Sequence, residues 1–191
     1  MIALVDCGGA NLRSVARAFE LKDKEIVITQ DENFIKNADQ VILPGVGSAQ
    51  NVMKTLRAHG LIECIKSLDQ PVLGICVGMQ ILFERSKEQN AECLGIIKGV
   101  VDKFPDTAGF SIPQMGWNEV NFSQKSEHDL NGYYYFANSY FVGEANFSIA
   151  TSQHINSFSS VIRYNNFLGC QFHPEKSSSN GQKFLDYFLS I

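Results

Sequence analysis

Apolar positions in the first half of the chain alternate between two spacings. Short continuous runs at Ile2 to Val5, Val41 to Leu43 and Val72 to Ile75 are followed by stretches of helical period at Leu12 to Leu21, Val52 to Leu68 and Met79 to Phe83. This alternation predicts βαβ units, and therefore an α/β fold: a central, mostly parallel sheet with helices on both faces, and a ligand crevice beyond the carboxyl ends of the strands. The loops expected at those ends read DCGGAN, PGVGSA and ICVG. The second half changes character. Aromatic and β-branched runs at Trp117 to Phe122, Tyr133 to Phe136, Phe147 to Ala150 and Phe167 to Phe172, separated by Asn, Ser and Gly, predict a mostly antiparallel extension of the sheet. A last amphipathic helix is expected over about Gly181 to Leu189, with Phe184, Leu185, Phe188 and Leu189 on one stripe and SSSN as its N-cap region.

Composition narrows the class. With 191 residues, 45% of them hydrophobic, and no linker or repeat, the chain is expected to form one domain over 1–191. Its formal charge of −4 and lack of a basic block speak against nucleic-acid and anionic-membrane partners. Five scattered cysteines without a CxxC pair argue against a disulfide framework and a zinc site, so no metal or cofactor is expected and a reducing cytoplasm suits the chain. No apolar run approaches membrane-spanning length, and the N-terminus lacks the pattern of a secretory signal.

The chemistry starts at VLGICVGMQILFE, residues 72–84. A strand that enters a glycine-flanked turn and then a helix has the form of a nucleophile elbow, and the helix dipole would favour a thiolate at Cys76. Free cysteine is also among the most buried residue types, so GxCxG alone leaves nucleophile and small core residue evenly matched. A second segment, GCQFHPEKS at 169–177, shifts the balance. Proline biases the preceding residue towards extended geometry, which would hold His173 with Glu175 in reach of one ring nitrogen and leave the other for a nucleophile. Cysteine, histidine and carboxylate then form a generalised triad. Taken separately, His173 reads as an ordinary loop histidine and Glu175 as a solvated charge. The PGVG loop is a plain turn on one reading. On the other, Val77 N–H and an N–H from Gly45, Val46 or Gly47 form an oxyanion hole.

GICVGMQ, PGVG and FHPEKS together resemble the class I, triad-type glutamine amidotransferases over nearly the whole chain. DCGGANLRSV, IPQMGWNEV and YYYFANSYF further resemble the glutaminase subunits of imidazole glycerol phosphate synthases. This resemblance implies a flavodoxin-like fold and hydrolysis of L-glutamine to glutamate and ammonia, with Cys76 as nucleophile, His173 as base then acid, and Glu175 as its orienting carboxylate. It implies glutamine contacts from the Gly45 loop, Gln80, Glu88 and the backbone near Ser139 and Tyr140. Gln80 and Glu88 otherwise read as exposed polar positions on and just after the elbow helix. Ammonia freed into neutral water is protonated and ceases to be a nucleophile, so it needs a shielded path to an acceptor. In the family the acceptor is held by a (β/α)₈ cyclase subunit, a heterodimer partner in histidine biosynthesis. Asn11, Met115, Trp117, Tyr135 and Lys176 fall at that subunit face by resemblance. Core packing is the plain alternative for Met115 and Trp117, and a solvated charge for Lys176.

The pattern departs from the family at Cys7, Ala10, Gln114 and Asn138, where tyrosine, glycine, histidine and histidine are usual. None is in the triad. These departures leave room for a paralogous role, supplying ammonia to a surface-sugar amidotransferase. Two rivals differ in kind: a cysteine hydrolase or peptidase without glutamine specificity, and a non-enzymatic scaffold that has kept the fold.

Overall fold

The computed structural model describes all 191 residues except Ala10 and Val46. Its strands are β1 (Ile2–Val5), β2 (Ile26–Thr29), β3 (Gln40–Leu43), β4 (Val72–Ile75), β5 (Phe83–Ser86), β6 (Ala91–Glu92), β7 (Ile97–Lys103), β8 (Gln114–Phe122), β9 (Gly132–Asn138), β10 (Tyr140–Phe141), β11 (Ser148–Gln153), β12 (Ser157–Tyr164) and β13 (Phe167–Cys170). Its α-helices are α1 (Leu12–Glu20), α2 (Glu32–Asn37), α3 (Ala49–Ala58), α4 (Leu61–Lys66), α5 (Val77–Gln80) and α6 (Ser178–Leu189).

A nine-stranded sheet runs β2-β1-β3-β4-β13-β12-β11-β8-β9. From β2 to β13 every pairing is parallel, and from β13 to β9 every pairing is antiparallel. Strand order reverses at β1, so right-handed crossovers place α1 on one face and α2 to α4 on the other. Helix α6 returns to the α1 face, where Phe188 meets Phe19 edge-on. The inner parallel strands are buried on both faces, and β1, β4 and β13 carry no exposed residue. A smaller sheet, β10-β7-β5-β6, flanks the large one. Among the described residues, no helix is long and apolar enough to cross a membrane.

Four expectations are corrected. The helical stretch at 52–68 is two helices, because Gly60 adopts φ 68° and ends α3 as a left-handed residue can. Met79 to Phe83 does not continue as a helix past Gln80: the carbonyls of Ile81, Leu82 and Phe83 accept from Leu94, Ile96, Ile97 and Gly95 instead. Strand β13, read with the antiparallel half, pairs in parallel with β4 and is the hinge between the two halves of the sheet. Ser177 stands at the N-cap of α6 but makes no side-chain cap. Its hydroxyl is engaged elsewhere, as the site shows. Strand β2 is itself an apolar run, IVIT, that the alternation described above passes over, and helix α2 is only six residues long. They complete the exposed edge beside β1.

Candidate active site

The carboxyl ends of β1, β3, β4 and β13 lie side by side, and the loops that leave them bring together residues far apart in sequence. Cys76 follows β4 directly and is the residue before α5. It sits at φ 54°, ψ −110°, a left-handed conformation costly for any residue with a Cβ, and is 5% exposed. The strain of the elbow is therefore carried by the cysteine. Its flanking glycines leave the room in which the turn closes and packs. A Cβ at Gly78 would stand 1.9 Å from the Leu43 carbonyl oxygen, one at Gly74 2.6 Å from the Gly78 oxygen, and one at Gly45 2.2 Å from the Gly78 nitrogen. The PGVG loop and the elbow thus meet backbone to backbone.

His173 follows β13 in extended geometry (φ −99°, ψ 98°), as its place before proline predicts. Glu175, however, lies in a 3₁₀ turn over Pro174–Lys176, and it is this turn that brings its Oε1 to 2.9 Å from His173 Nδ1. That contact leaves Nε2 for Cys76. Burial works against a charged imidazole here. Hydrogen bonding to Cys76 and Glu175, together with their charges, outweighs it and raises the His173 pKa from 6.5 to about 10. Asn11 supplies a contact the sequence reading had placed elsewhere: its Nδ2 donates to Glu175 Oε1 at 2.6 Å. The turn is clamped to β9 as well. His173 N–H donates to the Tyr135 carbonyl (2.9 Å), Tyr135 N–H donates to Ser177 Oγ (2.9 Å), and Ser177 Oγ donates to the His173 carbonyl (2.6 Å).

In front of Cys76 is a cavity of about 240 Å³ lined by Gly47, Val77, Gln80, Glu88, Asn138, Ser139 and Tyr140 with Pro113 and Ala137. Val77 opens α5, so its N–H is a first-turn donor without an intrahelical acceptor. Gly47 has φ 92°, which a side chain would disfavour. Gly45 instead faces a smaller cavity behind His173 and Glu175, and Val46 lies outside the described residues. Gln80 is buried, not an exposed helix position, and donates to the Tyr140 carbonyl at 3.0 Å and to Gln171 Oε1 at 2.9 Å. Glu88 lines the cavity while its Oε2 accepts from Ala49 N–H at 2.8 Å, at the start of α3 just beyond the PGVG loop.

Comparison with known proteins shows the family. The family model for "Glutamine amidotransferase class-I" matches residues 3–190. The chain belongs to the class-I glutamine amidotransferases. Within that family it is 45% identical over 192 residues to "Imidazole glycerol phosphate synthase subunit HisH" of Haemophilus influenzae, covering 98% of this chain and 96% of that one. It is 40% identical over 195 residues to "Imidazole glycerol phosphate synthase subunit HisH 2" of Legionella pneumophila, covering 100% and 98%. A crystal structure described as a glutamine amidotransferase superposes with a TM-score of 0.77 at 16% identity, covering 99% of this chain and 97% of that one, which shows the shared fold.

The candidate site has a neighbour of Cys76 that the sequence motifs did not single out. Gln171 is fully buried and its Nε2 lies 3.6 Å from Cys76 Sγ. It stands two positions before His173 at the end of a strand, and period-two alternation would have put both on one side. The positions expected at a subunit face separate into two groups. Met115 (67% exposed) and Trp117 (54% exposed) lie on the open face of the β8–β9 pair and are not core residues; Trp117 packs edge-on against Tyr135, its cross-strand partner. Exposed Lys176 places Nζ 5.8 Å from the Tyr135 ring centre. Half-buried Asn11 is set apart from them by its hydrogen bond to Glu175. Of the departures from the family pattern, Cys7 is buried, which pushes its thiol up to about 12 with a smaller push from Asp6, and it lines the cavity behind the triad. Ala10 lies outside the described residues. Gln114 and Asn138 face each other across β8 and β9, so these two departures form a pair.

Proposed function

We propose that this chain is the glutaminase subunit of an imidazole glycerol phosphate synthase, with residues 1–191 acting as one amidotransferase domain in the cytoplasm. The observation that carries the catalytic reading is His173, hydrogen-bonded through Nδ1 to Glu175 and set against a cysteine in a left-handed elbow. The near full-length likeness to HisH subunits supports the assignment to histidine biosynthesis.

In this reading His173 takes the Cys76 proton, giving an imidazolium beside a thiolate; the raised pKa of His173 favours the protonated ring. The thiolate attacks the carboxamide carbon of L-glutamine. The tetrahedral oxyanion is held by Val77 N–H and an N–H of the Gly45–Gly47 loop. His173 then protonates the leaving nitrogen, the C–N bond breaks, and ammonia departs from a Cys76 thioester. Water, deprotonated by His173, cleaves the thioester to glutamate and restores the thiol. Glu175 keeps the imidazole in the tautomer that faces sulfur and stabilises its charged form. Gln80, Glu88 and the backbone at Ser139 and Tyr140 hold glutamine. Ammonia passes to a (β/α)₈ cyclase subunit, which docks over Met115, Trp117, Tyr135 and Lys176 and forms imidazole glycerol phosphate and an aminoimidazole carboxamide ribotide. Tyr135 has a second role in this scheme, since both its backbone groups clamp the His173 turn.

Glutamate release from L-glutamine, L-asparagine and peptide amides by the chain with its barrel partner tests the activity. A preference for L-glutamine that Cys76→Ala abolishes is expected, and a preference for peptides would overturn the reading. Affinity capture from native extract tests the partner: a cyclase is expected, whereas a surface-sugar amidotransferase would overturn the pathway assignment and leave the glutaminase chemistry standing.

A further inference from the structure

We propose that Gln171 is a further catalytic residue, a neutral hydrogen-bond donor to the Cys76 sulfur, and that Gln80 is the positioning residue that sets its orientation. This deepens the reading of Cys76 as the nucleophile and rests on it. The two ends of an amide are alike in shape, so proximity to sulfur does not by itself decide which end faces it. The hydrogen-bond chain decides. A backbone carbonyl can only accept, and the Tyr140 carbonyl lies 3.0 Å from Gln80 Nε2, so Gln80 must turn its NH₂ that way. The same nitrogen lies 2.9 Å from Gln171 Oε1. Gln171 therefore presents its oxygen to Gln80 and its Nε2, at 3.6 Å, to Sγ. Reversing it would set NH₂ against NH₂ and a carbonyl oxygen against a thiolate. With Gln171 fully buried, water cannot replace the contact.

The consequence is a division of labour at sulfur. The His173 proton must leave to reach the departing nitrogen, but the Gln171 hydrogens stay throughout. A donor that stays favours the thiolate over both the thiol and the thioester, neither of which carries charge on sulfur. It raises the fraction of sulfur present as thiolate for the first half-reaction and assists sulfur as leaving group in the second. Tyr140 and Gln80 also line the cavity, so the anchor of this donor is part of the wall that glutamine contacts.

The test is iodoacetamide alkylation of Cys76 in the full-length chain as a function of pH, followed by mass spectrometry of the Cys76 peptide. Gln171→Leu is expected to move the midpoint up by about one unit, a roughly tenfold slowing below it, with the alkaline plateau retained. Gln80→Leu should shift it the same way by less. Gln171→Glu, close to the native shape, should shift it at least as far as Gln171→Leu, by setting a carboxylate beside sulfur, and it decides the matter if the leucine variant does not fold. Profiles that superimpose on the wild type, or a slowing equal at every pH, would overturn the proposal. Glutamate release measured in parallel keeps the two readings apart: a shifted profile without any wild-type glutaminase activity would remove the proposed function and leave the sulfur donor in place.

Discussion

Replacing Asn11 separates two places for one residue, the subunit face implied by resemblance and the triad support observed here. Asn11 Nδ2 donates at 2.6 Å to Glu175 Oε1, on a carboxylate side chain that is 1% exposed. The other oxygen, Oε2, is buried and has no hydrogen-bond partner among the described residues. Asn11→Ala would leave the carboxylate with His173 Nδ1 as its one hydrogen-bond partner among the described residues. A hydrogen bond to a charged group contributes about 1.5–3 kcal/mol, and the buried setting allows little recovery from water. A loss of about 2 kcal/mol should lower the thermal midpoint by roughly 4–8 °C for a chain of this size. Activity should fall too, because Glu175 orients the imidazole: if the same 2 kcal/mol appears in the transition state, kcat drops by about 30-fold with KM for glutamine little changed. The assays are a thermal melt of the chain alone, and glutamate release at saturating barrel partner. The reasoning would be refuted by a variant with wild-type melting temperature and kcat but weakened partner binding, since Asn11 would then be an interface residue after all.

Three other outcomes follow from the site. Cys76→Gly and Cys76→Ala should both be inactive, but the glycine variant should be the more stable by about 1–2 kcal/mol in urea titrations, because only glycine adopts φ 54°, ψ −110° without strain. Equal stabilities would mean the elbow stores none. Gly78→Ala should destabilise by at least about 2–3 kcal/mol and depress kcat, since its Cβ would meet the Leu43 carbonyl oxygen at 1.9 Å and force the elbow away from the PGVG loop. A fully active, stable variant would contradict that packing. The His173 pKa, raised from 6.5 to about 10 by its hydrogen bonds to Cys76 and Glu175 against burial, implies that folding favours the protonated ring. That contribution is complete below about pH 6.5 and fades as pH rises towards 10, so the urea midpoint of the wild type should fall more steeply over this window than that of His173→Gln. Parallel curves would show that the imidazolium is not favoured by the fold.

Some of this protein is written in local spacing. Runs of apolar residues bounded by glycine predicted β1, β3 and β4; a strand running into GxCxG predicted the elbow; and proline after His173 predicted its extended backbone. Each depends on forces acting within a few residues, such as side-chain periodicity, steric limits on φ and ψ, and the missing proline N–H, so each can be read without knowing the rest of the chain. What the tertiary structure alone decided involves partners that no spacing records. Asn11 reaches Glu175 across 164 residues because β1 and β13 end on the same edge of one sheet, with β3 and β4 between them. Gln80 and Gln171, 91 positions apart, become neighbours because β13 pairs in parallel with β4, which the aromatic pattern of the second half gave no means of telling from an antiparallel strand. Gly78 is required by a carbonyl from β3. Strand pairing is a choice among many alternatives of similar local energy, and burial of the whole sheet selects between them. The chemistry of Cys76 was therefore legible as a possibility, but the donors and acceptors that surround it came from the order of the strands.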